Sequence, residues 1–279
     1  MSVSSRIPGG SAQPVIELGL DTPELATTYD KVSVRQLEHG KELIRALHIS
    51  SGERVLDIGA GTGHLAAYVG KIVGPSGWVV GIDPLPLRIE IARLKASGNF
   101  EARVGRAEDL SQFADASFDV VYLNSVFHWV EDKARALAEV FRVLKTDGRL
   151  GLNCQDAEHP HEIFHFVRRA VTEAGVEVDR LDDLGLSGHR LETLVTGAGF
   201  VAYEAELRTF VNFYPDVDAL LASRASSCFG NFLINVSEVG RARIRDALDR
   251  LLEPKRVAGE GVRLEIYLTF ATARKPAVE

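Results

Sequence analysis

With 279 residues, 46% of them apolar and 25% charged, the chain has the composition of a globular protein with room for one large domain or a domain plus an appendage. No stretch approaches the roughly 20 apolar residues of a membrane span, and a formal charge of −7 without any run of Lys or Arg leaves no basic footprint for nucleic acid. Two cysteines, Cys154 and Cys228, make no disulfide framework, so the expectation is a cytoplasmic monomer or homodimer acting on a small molecule.

Residues 1–22, rich in Ser, Gly and Pro with a single Arg, read as a flexible lead-in and not as a secretory signal. Helical spacing begins near Val34, with Leu37, Leu43, Ile44 and Leu47 on one side, so residues 23–50 are expected to form cap helices. "ERVLDIG" is a short apolar run ending in glycine, the pattern of a buried parallel strand. Helix-compatible and strand-compatible segments then alternate: "HLAAYVGKIVG", "GWVVGIDP", "LPLRIEIARLKAS", "FEARVG", "SFDVVYLNSV", "EDKARALAEVFRVLK" (ended by "TDG") and "RLGLNCQ". This rhythm predicts βαβ units in a parallel sheet with helices on both faces. After residue 155 two helices lead to "VAYEAELRTFVNF", which alternates like a strand, and the long strand "VRLEIYLTFATARK" closes the chain. Residues 23–279 are thus expected to form one domain, an α/β, Rossmann-like, doubly wound, seven-stranded and mostly parallel sheet with an antiparallel last strand. A helical lid insertion is expected at roughly 212–255, between the last two strands.

The stretch "VLDIGAGTG" carries the first chemical signal. In an open parallel sheet, ligands bind beyond the carboxyl ends of the strands, and glycines there let a ligand approach the backbone. Gly59, Gly61 and Gly63 have G-x-G-x-G spacing, and His64 stands where a dinucleotide fingerprint needs its third glycine. Asp57, inside the strand, is poorly placed against a pyrophosphate but well placed to organise the loop and meet a cationic or amine-bearing ligand. Asp83, followed by Pro84, ends the next strand, where a carboxylate accepts bonds from ribose hydroxyls. A ligand with a ribose, a positive charge and no phosphate fits S-adenosylmethionine.

"VLDIGAGTG", "VVGIDPLP", "GRAEDL" and "SFDVVYLNSVFHWV", followed by "FRVLKTDGRL", together resemble the class I S-adenosylmethionine-dependent methyltransferases over about residues 25–155. The resemblance implies that the loop from Gly59 to Gly63 passes the methionine part of the cofactor and that Asp83 binds its ribose. It also implies Ala107 and Glu108 beside the adenine, Asn124 near the methionine amino group, and Tyr29 closing over the cofactor. Two departures stand out. Relatives often have Gly-Asp-Ala where this chain has Gly105-Arg106-Ala107, and Arg88 replaces a Met that often packs on the adenine.

"FHWV", just past the fourth strand, resembles the trans-aconitate methyltransferase group and quinone-pathway relatives. A hydroxyl acceptor would benefit from a base at His128, with Phe127 and Trp129 as pocket walls. In "EHPHEIFHF", His161 and His165 are four apart, as on one helix face, and are expected to look into the pocket. No H-E-x-x-H signature makes them metal ligands, so no metal is expected. Phe229, with Tyr214 and Phe232, is expected to cover the acceptor. The function expected is methyl transfer to O, S or N of a small molecule, with secondary metabolism as one setting. An arsenite-methylating role is disfavoured by the shortage of cysteines. The alternatives are a cofactor-retaining pericyclase or decarboxylase on the same fold, and a nicotinamide oxidoreductase, which His64 disfavours.

Overall fold

Strand β1 (Arg54–Ile58) buries every residue after its first, as an apolar run flanked by parallel neighbours must. The computed structural model describes residues 21–178, 184–227, 233 and 235–277. Of the lead-in expected over residues 1–22, residues 1–20 lie outside them, as do the cover residues Phe229 and Phe232. Asp21 and Thr22 are held in place, Thr22 capping the first helix and Asp21 lying beside Arg88. Ahead of β1 stand the cap helices α1 (Pro23–Val32) and α2 (Val34–Ala46). After it come α3 (His64–Val73), β2 (Trp78–Asp83), α4 (Pro86–Lys95), β3 (Phe100–Val104), β4 (Phe118–Asn124), α5 (Lys133–Val143) and β5 (Leu144–Gln155). The second half holds α6 (Glu162–Ala174), α7 (Gly188–Gly197), β6 (Val201–Tyr214), α8 (Val217–Ser227), α9 (Glu238–Leu252), β7 (Arg256–Val257) and β8 (Gly261–Arg274).

The strands order as β3-β2-β1-β4-β5-β8-β6. Neighbours from β3 to β5 are parallel, and β8 runs antiparallel to both β5 and β6, as expected for the last strand. The two-residue β7, which the sequence does not announce, pairs with β8 and brings the sheet to eight strands. The order reverses between β1 and β4, so the crevice for a ligand opens beyond the ends of these two strands. One boundary differs from expectation: α5 stops at Val143 and "TDG" lies within β5. There the register jumps between Phe118 and Val120, and Asp147 takes φ 60°.

Apolar side chains separate to the two faces of the sheet because successive strand residues point opposite ways. Val55, Val79 and Val120 pack with α2, α3 and α4 through Leu43, Val69 and Ile89. Leu56, Val80 and Val121 pack with α5 and α7 through Leu137 and Leu191. A third cluster joins α6, α8 and α9 to Tyr214, Val262 and Leu264 of β6 and β8. Full burial of each such aliphatic is worth about 1.5–3 kcal/mol. The segment expected as a lid therefore divides. It starts after Tyr214; α9 packs beside α6, and α8 reaches over the strand ends.

Candidate active site: two adjoining clefts

The loop after β1 is the centre of the site. Gly59, Gly61 and Gly63 take φ of 78°, 53° and 82°, a left-handed region that costs other residues energy. They do so for different neighbours. A Cβ on Gly59 would lie 2.2 Å from Val126, and one on Gly63 would lie 2.9 Å from Ala92, so both glycines serve packing. A Cβ on Gly61 would lie 2.9 Å from the ring of Tyr29, which comes down from α1 onto the loop. Gly63 caps α3 without any side-chain hydrogen bond, leaving the first N–H groups of that helix to a ligand. Asp30 fastens α1 over this end, its carboxylate 2.8 Å from His64 of α3 and 2.6 Å from Lys95 of α4.

Asp83 is buried at the end of β2. One carboxylate oxygen accepts from Gly61 N–H at 2.9 Å, the other from Leu85 N–H at 2.9 Å. Burial raises its pKa, and the nearby Arg88 charge opposes that rise. Arg88 itself is buried, 3.9 Å above the Tyr29 ring, and donates to the Ser226 carbonyl of α8 at 2.7 Å. Its Nε lies 3.5 Å from the Asp21 carboxylate. The departure noted at position 88 thus has a structural consequence: a guanidinium ties α1, α4 and α8 together beside Asp83. Asp57 lies deeper, accepting from the Tyr122 hydroxyl at 2.8 Å. Burial, reinforced by the charge of Asp83, pushes its carboxyl up to about 7, against the Tyr122 bond.

A cleft of about 350 Å³ opens here, bordered by Tyr29, Asp57, Gly59, Thr62, Asn124 and residues of α2 such as Gln36. Four of the expected cofactor residues meet in its wall, with Gly61 and Asp83 bonded to each other alongside. The residues fit an S-adenosyl group: glycine backbone without side chains, an uncapped helix start, two buried carboxylates, and a Thr62 hydroxyl buried without a partner. Asn124 borders the cleft, yet its amide already donates to Gln36 O at 3.1 Å and accepts from Asn153 at 2.7 Å, bracing α2 on β4 and β5. Pro84 follows Asp83 outside the cleft wall. Ala107 is buried in the core and Glu108 accepts from Glu131 N–H; neither borders this cleft.

The second cleft, about 740 Å³ and open to solvent, adjoins the first; Gln36 lines both. His128, Trp129 and His161 line it. Phe127 does not: it is fully buried in the core beneath the turn. His165 does not either, being exposed on α6. The four-residue spacing misled because His161 is not helical. It precedes α6 with ψ 138°, so it shares no face with His165. His161 Nδ1 accepts from Tyr267 N–H at 3.1 Å and its ring stacks on Phe164.

Burial lowers the pKa of three histidines of this cleft. His39 falls to about 4, and His128 and His161 to about 3, helped at His128 by the positive charges of Lys133 and Arg224 and at His161 by that of Arg224. All three are neutral at physiological pH. The sequence reading missed Arg35, Gln36, His39, Gln155, Asn212 and Arg224 in this wall. Their signal was present only as polar residues of amphipathic segments, which look alike whether they face water or a cavity. Among the described residues no group of three or more His, Cys, Asp or Glu side chains is placed to hold a metal, and no helix is long and apolar enough to cross a membrane.

Residues 56–152, the segment that builds β1 to β5 and the glycine loop, match the methyltransferase domain family. Proteins similar to this chain over part of their own length are named methyltransferases. A demethylmenaquinone methyltransferase of Lactobacillus johnsonii is 34% identical over 40% of this chain and 48% of its own length. An arsenite methyltransferase of Halobacterium salinarum is 28% identical over 82% of this chain and 56% of its own. The chain thus spans about half the length of the curated relatives it matches. Among solved structures, the YcgJ protein of Bacillus subtilis superposes with a TM-score of 0.59 at 22% identity, covering 88% of this chain and 99% of that one. That likeness concerns the fold.

Proposed function

We propose that the protein transfers a methyl group from S-adenosylmethionine to a small molecule bound in the second cleft. The observation that carries this reading is the buried Asp83 carboxylate, clamped by Gly61 N–H of a glycine loop that borders one cleft, with a second, larger cleft adjoining it through Gln36. Asp83 has unused lone pairs for ribose hydroxyls, and the α3 N-terminus faces the cofactor's carboxylate. Asp57 offers negative charge toward its cationic end. Bound there, the cofactor supplies an electrophilic methyl carbon on sulfur. The protein's part is then to hold the acceptor in line and exclude water, with α1, α2 and α8 as the covering elements.

His128 orients the acceptor in this reading and is not its base. A base works best with a pKa near the working pH, and a ring held neutral down to about 3 resists becoming imidazolium. Arsenite is an unsuitable acceptor. Cys154 is buried, with its thiol pushed up to about 12, and Cys228 lies outside the described residues. Oxygen, sulfur, nitrogen and carbon acceptors remain to be separated by assay. Calorimetry with S-adenosylhomocysteine and with NAD tests the cofactor: the first should bind and the second should not. Binding of NAD alone would replace this reading by an oxidoreductase. With cofactor binding established, a screen of methyl acceptors distinguishes a transferase from a cofactor-retaining pericyclase or decarboxylase.

A further inference from the structure

The second cleft has an electrostatic character that the chain's composition does not provide by default. The protein carries a net charge of −7, yet among the described residues no Asp or Glu lines this cavity. Two guanidiniums do. Arg35 of α2 lies 4.4 Å over the Tyr214 ring and donates to the Phe213 carbonyl at 3.1 Å. Arg224 of α8 lies 4.7 Å over the Phe164 ring. Among the described residues neither makes an ion pair with a carboxylate. An aromatic face holds a guanidinium in place while leaving its in-plane N–H groups available to an anion.

The neutral lining is equally telling. His161 accepts at Nδ1 from a backbone N–H, so its own proton sits on Nε2, where it can be donated. His128 is 6% exposed and its Nδ1 has no hydrogen-bond partner; the Gln36 and Gln155 side-chain oxygens of the same wall are also buried without one. Buried polar groups left open in this way usually wait for a ligand or water. A cationic acceptor would meet two arginines and no counter-charge, at a large desolvation cost. An anion would meet two guanidiniums held on aromatic faces and the Nε2–H of His161. The Gln36 and Gln155 oxygens, being acceptors, are left to water or to a donor elsewhere on the acceptor molecule.

Resting on the methyl-transfer reading above, we infer that the acceptor is anchored by an anionic group, a carboxylate or a phosphate, held between Arg35 and Arg224. Gln36, common to both clefts, places that anchor beside the cofactor, so the methyl-accepting atom lies on the side of the molecule toward Asn124. The two arginines come from the cap helices and from the segment between β6 and β8. Acceptor binding therefore joins two elements that the sheet alone does not connect.

The test uses the whole protein saturated with S-adenosylhomocysteine at low ionic strength. It is titrated by calorimetry with inorganic phosphate and, separately, with succinate. At least one should bind in the millimolar range or tighter. Arg224→Gln should weaken that binding at least tenfold and Arg224→Lys less, because a single charge is kept without the planar fork. Arg35→Lys, which spares more of the α2–β6 contact than a neutral residue, should weaken it severalfold. S-adenosylhomocysteine affinity should stay within about threefold in every variant, which also reports that the fold is intact. Binding of phosphate alone identifies a phosphate anchor, and of succinate alone a carboxylate. Equal anion binding by wild type and Arg224→Gln, or no anion binding by a protein that does bind S-adenosylhomocysteine, overturns the inference. Failure to bind S-adenosylhomocysteine overturns the methyl-transfer reading instead.

Discussion

The two clefts are neighbours built on opposite plans. The cleft proposed for the cofactor takes most of its wall from one continuous strand–loop–helix segment, with two buried carboxylates, Asp57 in the wall and Asp83 alongside it. The acceptor cleft takes residues from Val32 to Leu268 and holds arginines and neutral histidines. A local segment suits a ligand that is constant across a family, because one loop geometry recognises it. A cavity assembled from distant helices can change its chemistry one element at a time, as befits the variable partner. In the proposed arrangement a cationic cofactor finds carboxylates on one side and an anionic acceptor finds arginines on the other.

The comparison breaks most severely at Gly61. Gly61→Val forces a branched residue to φ 53° and drives its Cβ into Tyr29. S-adenosylhomocysteine binding should be lost, and with it the upward shift in melting temperature that the ligand gives wild type. An undiminished shift would place the cofactor elsewhere.

Next in size is Asp83→Ala. It removes charge-assisted bonds worth about 1.5–3 kcal/mol each, so cofactor affinity should fall at least tenfold while anion binding in the acceptor cleft persists. Equal loss of both would mean the clefts are not independent.

The histidines give the acceptor cleft a pH signature of its own. His39, His128 and His161 are harder to protonate in the fold than in the unfolded chain, whose histidines titrate near 6.5. The unfolded state therefore binds more protons below that pH, and stability should be full above about pH 7.5 and fall as pH drops through 6.5 toward 4. His161→Gln should reduce this slope by one proton, about 1.4 kcal/mol per pH unit, in urea unfolding at pH 7.5, 6 and 5. A slope identical to wild type would show that His161 is not held neutral by the fold.

The smallest effect sharpens the cofactor side. Asp57, raised to about 7, is partly protonated at neutral pH, and a sulfonium beside it favours the carboxylate. Binding of S-adenosylmethionine should release up to about half a proton more than S-adenosylhomocysteine, read from the buffer dependence of the binding enthalpy at pH 7. Asp57→Asn should abolish the difference. A difference that survives the substitution would assign the proton to another group.

Much of the fold was legible from apolar periodicity, since burial on a parallel sheet leaves a readable run or alternation. The strands from Arg54 to Gln155 and the antiparallel close at Gly261–Arg274 fell where "VLDIG" and "VRLEIYLTF" pointed. The boundary at "TDG" was misplaced because a strand can begin before its turn residues when the register jumps. The two-residue β7 was invisible, being too short to carry a pattern.

By itself the sequence determined the cofactor loop: glycines at alternate positions, Asp57 inside the strand and Asp83 at the end of the next one act through local backbone geometry. Tertiary structure decided the rest. It sent Phe127 into the core and His165 to the surface, turned His161 inward through a single extended residue before α6, and set Arg88 over the Tyr29 ring. It also gathered Arg35, His39, Gln155 and Arg224 into one cavity without an acid among its described lining residues. Those four residues are separated by up to 189 positions in the chain (35 to 224). A local pattern shows which residues are polar, and only the packing of helices on strand ends determines whether they face water or one another.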